Sequence, residues 1–302
     1  MIITSTVGKI DAAIGRNEGP IMAYMSKSES DFAKNSLLNT LYNVKSSNHY
    51  SESVAGMNGI GDFVATDGAV PYDDMEEMWP KQFMHTVFKK GIEIKRETID
   101  DSRIIDMQNQ AGTLTDASNR TREKFVHAPF NFCTVPTFSM AGGTFDCLGN
   151  DKMPLASVAH PSKTGKAAVQ GNYLTNNPLT QAGLKAAEDL MESLTDDIGE
   201  KANIFPDTIL TGWANRNVAW ELTQSEKKPT DNTNAANPYQ DKYQVIISRW
   251  ITDPNMYFLI DSAYMKRNLF WIDRKKLEIA SHKDDNTKNW LIDASNRSRY
   301  TC

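Results

Sequence analysis

A cysteine and a histidine close in sequence are the first side chains in this chain that could do chemistry. Cys133 follows His127 by six residues, and a thiol beside an imidazole can act as a nucleophile with its base. No third group is placed to orient the base, and no known nucleophile signature surrounds Cys133. Because a buried cysteine usually behaves as a small hydrophobic residue, we predict a structural role for it.

Two glycine-containing segments could in principle cradle a phosphate. Residues 56–63 (GMNGIGDF) have the spacing GxxGxG, which differs from the dinucleotide fingerprint GxGxxG, and they follow no predicted strand. Residues 162–169 (SKTGKAAV) resemble the end of a phosphate loop. However, Ala167 stands where Ser or Thr must hold magnesium, and the upstream glycine is missing. We therefore predict no nucleotide cofactor.

Metal-binding spacing is absent from the sequence. The five histidines form no HxxxH or HExxH pair, and the three cysteines (Cys133, Cys147 and Cys302) form no CxxC, which predicts a reduced chain without a zinc site. His160 precedes Pro161, where we expect a hydrogen-bonding role. Neighbouring carboxylates can bind cations, but in turns and helix caps they are usually solvated. We predict that the five acidic pairs of this chain are solvated. They are Asp73-Asp74, Glu76-Glu77, Asp100-Asp101, Asp196-Asp197 and Asp284-Asp285. We predict no catalytic, cofactor-binding or metal-binding residue, and no enzyme.

The composition favours a flat or extended protein that completes its burial against neighbours. Only 40% of the 302 residues are hydrophobic, while 9% aromatic residues and six tryptophans argue against disorder. The net charge of −5, without a basic block, argues against a dedicated nucleic-acid binder. No run of about 18 apolar residues occurs, so we predict no membrane partner.

The elements of the first half are sparse. Residues 1–50 predict an extended arm with a short helix at Leu37–Tyr42, or a disordered terminus. Residues 51–99 predict a long, extended excursion from the core, whose last part is β-structure with a tight turn at Lys90-Gly91. We expect such a long segment if it lies over another subunit. Apolar residues at spacings of three and four over 100–128 predict a helix of roughly 40 Å that Pro129 closes. Its narrow apolar stripe predicts that it lies across a surface.

The second half predicts helices that precede a mainly antiparallel sheet, an α+β arrangement. Thr180 is placed to cap one helix, and a second helix is expected at Trp213–Leu222 after a strand at 208–211. A polar loop at 225–242 leads to strands at 243–250 and 256–260, and two further strands follow.

The order of motifs in the second half resembles the major capsid proteins of tailed bacteriophages, especially the Mu-like head subunit and its relatives. The segment PLASVAHP (154–161) is followed by an asparagine-rich turn, an amphipathic helix and a strand that follows Pro206, over 171–210. WANRNVAWELTQS (213–225) and the strand pair at 243–263 complete the series. These segments cover about half of the chain, and their order carries the resemblance.

The resemblance implies the Hong Kong 97-type capsid fold. Residues 1–50 would be the N-terminal arm, 51–99 the extended loop, and 100–134 the peripheral domain with its long spine helix. Residues 135–250 would form the axial domain, and 251–302 would return to the peripheral sheet.

The implied function is self-assembly into the icosahedral head of a tailed phage that encloses double-stranded DNA without sequence-specific binding. The implied partners are the chain itself, in hexamers and pentamers, with scaffolding, portal and decoration proteins. The implied location is the virion, after assembly in the host cytoplasm. Three alternatives stay open: an encapsulin-like compartment shell, a phage tail or adaptor component, and an enzyme that uses Cys133 or His160.

Overall fold

The computed structural model describes residues 6–101, 103–228 and 235–300 of the chain. Cys302 and the most asparagine-rich part of the predicted 225–242 loop lie outside the described residues. Among the residues that are described, no helix is both long and apolar enough to cross a bilayer.

The chain alternates short strands with a few long elements. Up to residue 146 the elements are α1 (Thr6–Asn35), α2 (Leu38–Leu41), β1 (Asn43–Ser46), β2 (Ser51–Val54), β3 (Lys81–Met84), β4 (Thr86–Ile94), α3 (Arg96–Asp100), α4 (Ile104–Asn131), β5 (Thr137–Met140) and β6 (Gly143–Asp146). The rest contributes α5 (Gln181–Ser193), β7 (Thr208–Gly212), a 3-10 turn (Trp213–Asn215), α6 (Arg216–Gln224), β8 (Gln244–Ser248), β9 (Tyr257–Ile260), α7 (Ser262–Asn268), β10 (Phe270–Lys283) and β11 (Trp290–Tyr300).

A four-stranded sheet in the order β1-β10-β11-β4 packs against the long helix α4. The strands β10, β11 and β4 are antiparallel, while β1 joins the edge in parallel with β10. Burying apolar side chains between the sheet and the helix is the main source of stability here. Helix α4 therefore lies across a sheet, as its narrow apolar stripe predicts.

Helix α1 overturns the prediction of an extended or disordered arm over residues 1–50. Its residues Ile21 and Met25 are completely buried against α4 and β11, in a cluster with Met107 and Trp290. Gly112 allows the two helices to approach, because a Cβ there would lie 3.0 Å from a ring carbon of Tyr24. The sequence prediction failed because Pro20 lies inside this helix; packing against α4 stabilises it. The predicted short helix after it is confirmed as α2.

The long helix is confirmed, but its ends differ from the prediction. Helix α4 spans 28 residues and continues past Pro129 to Asn131. A proline removes one backbone donor, and in the last turn that loss is small enough for the helix to continue. Asp100 and Asp101 belong to the end of α3 and its cap, one turn before α4 begins.

The predicted turn at Lys90-Gly91 is wrong, because β4 runs straight through it. Gly91 pairs with Asp293 of β11. A Cβ on Gly91 would lie 2.4 Å from Oδ1 of Asp293. The glycine thus marks a close cross-strand approach in a continuous strand.

The structure limits the projecting part of the segment predicted as an excursion over 51–99 to residues 55–80, because strands take up much of the rest. Strands β2 and β3 pair at its base, and an isolated bridge between Met57 and Glu77 extends this ribbon. Residues beyond Lys81 belong to β3 and to β4, the edge of the main sheet. We use "long loop" below for residues 55–80.

The second half forms a smaller three-stranded sheet with flanking helices. Its order is β8-β7-β9, so β8 and β9 both pair with β7 and not with each other. The β7–β8 pair is parallel, which makes this sheet mixed, whereas we predicted mainly antiparallel pairing. The cap of α5 is confirmed, because the Thr180 hydroxyl accepts a hydrogen bond from the Gly183 N–H.

Candidate assembly surfaces

The structure gives His127 and Cys133 separate partners. Nε2 of His127 lies 2.8 Å from Oγ of Ser248, and Nδ1 lies 2.8 Å from the carbonyl oxygen of Glu123. The thiol of Cys133 lies 4.0 Å from Sδ of Met256. Burial raises the pKa of Cys133 to about 11. Such a thiol stays protonated near neutral pH and is a poor nucleophile.

Glu123, His127 and Ser248 resemble a hydrolytic triad in type but not in access. Oε2 of Glu123 lies 3.6 Å from Nδ1 of His127. All three side chains are buried, and Oε1 of Glu123 accepts a hydrogen bond from Ser36. Burial raises the pKa of Glu123 and lowers the pKa of His127, so both neutral forms are favoured. The cluster ties α4 to the end of α1 and to β8 inside the subunit.

His160 has the hydrogen-bonding role that its position before Pro161 predicts. Nδ1 lies 2.6 Å from Oδ2 of Asp151, and Nε2 lies 3.2 Å from Oδ1 of Asn172. Asn172 in turn donates to the carbonyl oxygen of Leu155. His160 therefore fixes the path of a segment that has little regular structure.

The two glycine-containing segments, residues 56–63 and 162–169, make contacts that hold the backbone of the subunit in place. Ser162 and Thr164 donate to the carbonyl oxygen of Asp197, and Lys163 donates to the carbonyl oxygen of Glu77 in the long loop. Gly59 lies against Asp196, whose Oδ2 would be 2.7 Å from a Cβ at that position. The base of the long loop is thus anchored on the region around residues 162–198.

The acidic pairs act mainly in turns. Oδ1 of Asp196 accepts from the N–H groups of Ile198 and Glu200, and Asp284 does the same for the hairpin between β10 and β11. Asp73 and Asp74 are exposed on the long loop. Within the three described ranges, no group of three or more His, Cys, Asp or Glu side chains could hold a metal ion.

The long loop presents the largest run of exposed apolar side chains. Every residue from 60 to 77 is exposed. The side chain of Phe63 is fully exposed, and Tyr72 is 91% exposed. Exposed apolar surface of this kind marks a site of protein association.

The long loop is also strongly acidic. Residues 55–80 contain six acidic residues and no lysine or arginine. Because the whole chain has a net charge of −5, all the other residues together have a net charge of +1. This charge pattern was visible in the sequence, although only the structure shows that the segment projects from the subunit. It favours a basic contact surface for the loop.

A second exposed surface lies on α6 and the turn before it. Trp213 and Trp220 are both more than 60% exposed, and seven residues are two helical turns. The guanidinium of Arg216 lies 4.9 Å from the ring of Trp213. Tryptophan and arginine are the residues that most often dominate binding energy at protein interfaces. The sequence predicted this helix but not its exposed aromatic face.

Comparisons with known proteins agree with this arrangement of a loop, a long helix and two sheets. A family model described as phage capsid protein matches residues 82–297. The capsid of bacteriophage JBD30 decorated with minor capsid protein trimers aligns with a TM-score of 0.54 and 13% identity, over 71% of this chain and 90% of that chain. Microbacterium phage Oxtober96 aligns with a TM-score of 0.51 and 11% identity, over 88% and 84%. No curated protein sequence matches this chain.

The family match covers more than two thirds of the chain, including β4, α4, β10 and most of the second half. It supports a phage capsid subunit over the encapsulin-like shell and the tail component considered from the sequence, and the predicted Hong Kong 97-type α+β fold is confirmed. The chain belongs to the phage capsid protein family and is a major capsid protein of the Hong Kong 97 type.

Proposed function

We propose that this protein builds the icosahedral head of a tailed phage by laying its long loop over neighbouring copies. The observation that carries the proposal is that every residue from 60 to 77 is exposed, including the apolar side chains of Phe63 and Tyr72. A single subunit gains nothing from exposing such side chains, whereas a shell buries them. The finished head encloses double-stranded DNA.

The proposed division of labour follows the order that the sequence suggested. The arm is residues 1–50, the extended loop 51–99, and the peripheral domain with its spine helix 100–134. The axial domain is 135–250, and 251–302 return to the peripheral sheet. The hydrophobic clusters follow this division in part: one lies under α1, α4 and β11 and another surrounds α5 and β7, while the largest cluster joins α4 and β10 to β7 and β8.

The proposed partners are other copies of the chain, in hexamers and pentamers, with scaffolding, portal and decoration proteins. The JBD30 capsid, which has a similar fold, is decorated with minor capsid protein trimers. Assembly takes place in the host cytoplasm and yields a virion component. The role is structural and not catalytic; the buried Cys133, with its raised pKa, supports this.

The test replaces the loop without disturbing the sheets. Met57 and Glu77 face each other as a cross-strand pair, so residues 58–76 can be replaced by Asn-Gly, which favours a tight hairpin turn. We expect a folded subunit that forms no particles by size-exclusion chromatography and electron microscopy. A wider deletion of 55–95 is unsuitable, because it would remove β4 from the main sheet.

A second, smaller change keeps the loop and alters only two of its exposed apolar side chains. The double substitution Phe63→Ser and Tyr72→Ser leaves the backbone anchors between Asn58 and Glu76 in place. We expect it to unfold at the same denaturant concentration as the wild type and to assemble poorly. Normal particles from the Asn-Gly variant would overturn the proposal.

A further inference from the structure

A cluster of basic side chains lies at the point where the long loop joins the main sheet. His85 follows β3 directly and is only 7% exposed. Arg297 pairs with Val87 in the register of β11 and β4. Side chains two residues apart on a strand share a face, so His85, one residue before β4, lies on the same face as Arg297 and diagonally across from it. Arg274 lies in a bulge of β10, next to the same part of β11.

Several polar atoms of this cluster are buried without a hydrogen-bond partner among the described residues. They are both ring nitrogens of His85, Nη1 of Arg274 and Nε of Arg297. Burying a polar group without a partner is unfavourable by about 1–3 kcal/mol, and more for a charged group. Four such atoms in one place indicate that a ligand completes the cluster.

The electrostatics of the cluster define the chemistry of that ligand. The pKa of His85 is lowered, first by burial and then by the charges of Arg297 and Arg274, which outweigh the opposing effect of Glu52. Arg299, on the same strand, lies 3.8 Å from Asp146. The ring of Tyr50 lies 5.8 Å from the Arg297 guanidinium. A carboxylate would neutralise the excess positive charge and accept bonds from the buried donors.

The long loop is the matching source of carboxylates. Its run from Asp73 to Glu77 (DDMEE) is exposed and has four acidic residues, and the whole loop has no basic residue. Within one chain the run is anchored through the Asp73 carboxylate, which accepts from the Gly61 N–H, and through the backbone carbonyl of Glu77, which accepts from Lys163. We therefore assign the ligand carboxylate to the long loop of another copy.

We propose that His85, Arg274 and Arg297 form a carboxylate site that receives the acidic run 73–77 from the long loop of a second copy. The site rests on the proposed function, since it gives the overlapping loop a defined electrostatic contact. It also explains why the loop is acidic while the rest of the chain is close to neutral. Recognition through these partly buried arginines would fix where the loop lies on its neighbour.

The first experiment uses a peptide and the full-length, unassembled subunit. The peptide spans residues 70–79, and a control peptide replaces its four carboxylates by amides. The titration of the His85 ring is followed by nuclear magnetic resonance. We expect the acidic peptide, and not the amide peptide, to raise the pKa of His85, because an added carboxylate favours the protonated ring. Arg297→Gln should weaken peptide binding about tenfold.

Two results of the titration would overturn the site. One is an equal effect, or no effect, of the two peptides. The other is a larger effect of inorganic phosphate than of the acidic peptide at the same concentration, which would assign the cluster to a free oxyanion. The free energy of unfolding of Arg297→Gln is measured alongside and should change little, because Arg297 is only partly buried. Loss of peptide binding is then not a result of misfolding.

The second experiment exchanges charges between the two surfaces in assembling protein. We expect Arg297→Glu to lower the yield of particles about tenfold, and Asp74→Lys with Glu76→Lys in the same chain to restore it. Lys276→Glu is the matched control, because Lys276 is an exposed residue of β10. Normal particle yield from Arg297→Glu would overturn the site and leave the proposed function standing. If the wild type forms no particles, the proposed function fails, and the peptide titration still decides the site.

Discussion

The hydroxyl of Ser248 lies 2.8 Å from Nε2 of His127 and joins β8 to α4 in the interior of the subunit. A carbonyl oxygen can only accept, so Nδ1 carries the proton of the neutral ring and donates it to Glu123. Nε2 then accepts from Ser248, whose oxygen accepts from the N–H of Trp250. Every polar atom in this series of three hydrogen bonds has a partner. The direction of each bond is fixed by the proton on Nδ1 of His127.

Removing the Ser248 hydroxyl is expected to destabilise the subunit. Ser248→Ala leaves Nε2 of His127 and the N–H of Trp250 without this partner in a buried site, which lowers the free energy of unfolding by about 1–3 kcal/mol. The measurement is denaturation in urea at pH 7.5. Ser193→Ala on the exposed end of α5 is the control and should change stability by less than about 0.5 kcal/mol. Equal effects of the two substitutions would contradict the role of the buried bond.

Acid is expected to destabilise the subunit through His127. Burial lowers the pKa of His127 in the folded state below its ordinary value of 6.5, which the unfolded chain regains. The unfolded state therefore binds more protons as the pH falls through 6.5, and the free energy of unfolding decreases. Glu123 acts in the opposite direction, because burial raises its pKa and protonation on acidification relieves a buried charge.

The contribution of His127 can be isolated by comparison with His127→Gln. Urea denaturation at pH 7.5 and pH 5.5 should show a smaller acid-dependent loss for the variant than for the wild type. Glu123 is present in both proteins, so its effect largely cancels in the comparison. An identical loss in the two proteins would show that His127 does not titrate against burial.

Truncating Ile21 tests whether α1 belongs to the subunit core. Ile21 is completely buried between α1 and α4, so Ile21→Ala should lower the free energy of unfolding by about 2–5 kcal/mol. Lys27→Ala, on an exposed position of the same helix, should have little effect. A negligible effect of Ile21→Ala would mean that the helix detaches from α4 in solution.

The thiol of Cys133 is expected to be unreactive in the folded subunit. Its burial and its pKa of about 11 keep it protonated and shielded at pH 8. The test is alkylation with iodoacetamide in a Cys302→Ser background, followed by mass spectrometry. Labelling should become fast only after unfolding in urea. Rapid labelling of the native protein at Cys133 would reopen the enzymatic alternative.

The sequence alone determined the elements whose signals are local. Apolar spacing over 100–128 predicted α4, and Thr180 predicted the start of α5 because a side-chain cap needs only the next three residues. The order of motifs in the second half identified the family without any contact information. The acidic, glycine-rich character of the long loop was equally visible as composition.

The tertiary structure decided everything that depends on partners distant in sequence. Helix α1 forms against α4 despite Pro20, and β4 passes through Gly91 because Asp293 lies opposite it. Strands β8 and β9 pair with β7 and not with each other. His85 and Arg297 are separated by more than two hundred residues, and only the register of β4 with β11 brings them together. Strand pairing and burial are set by the whole chain, so no local pattern could have predicted that cluster.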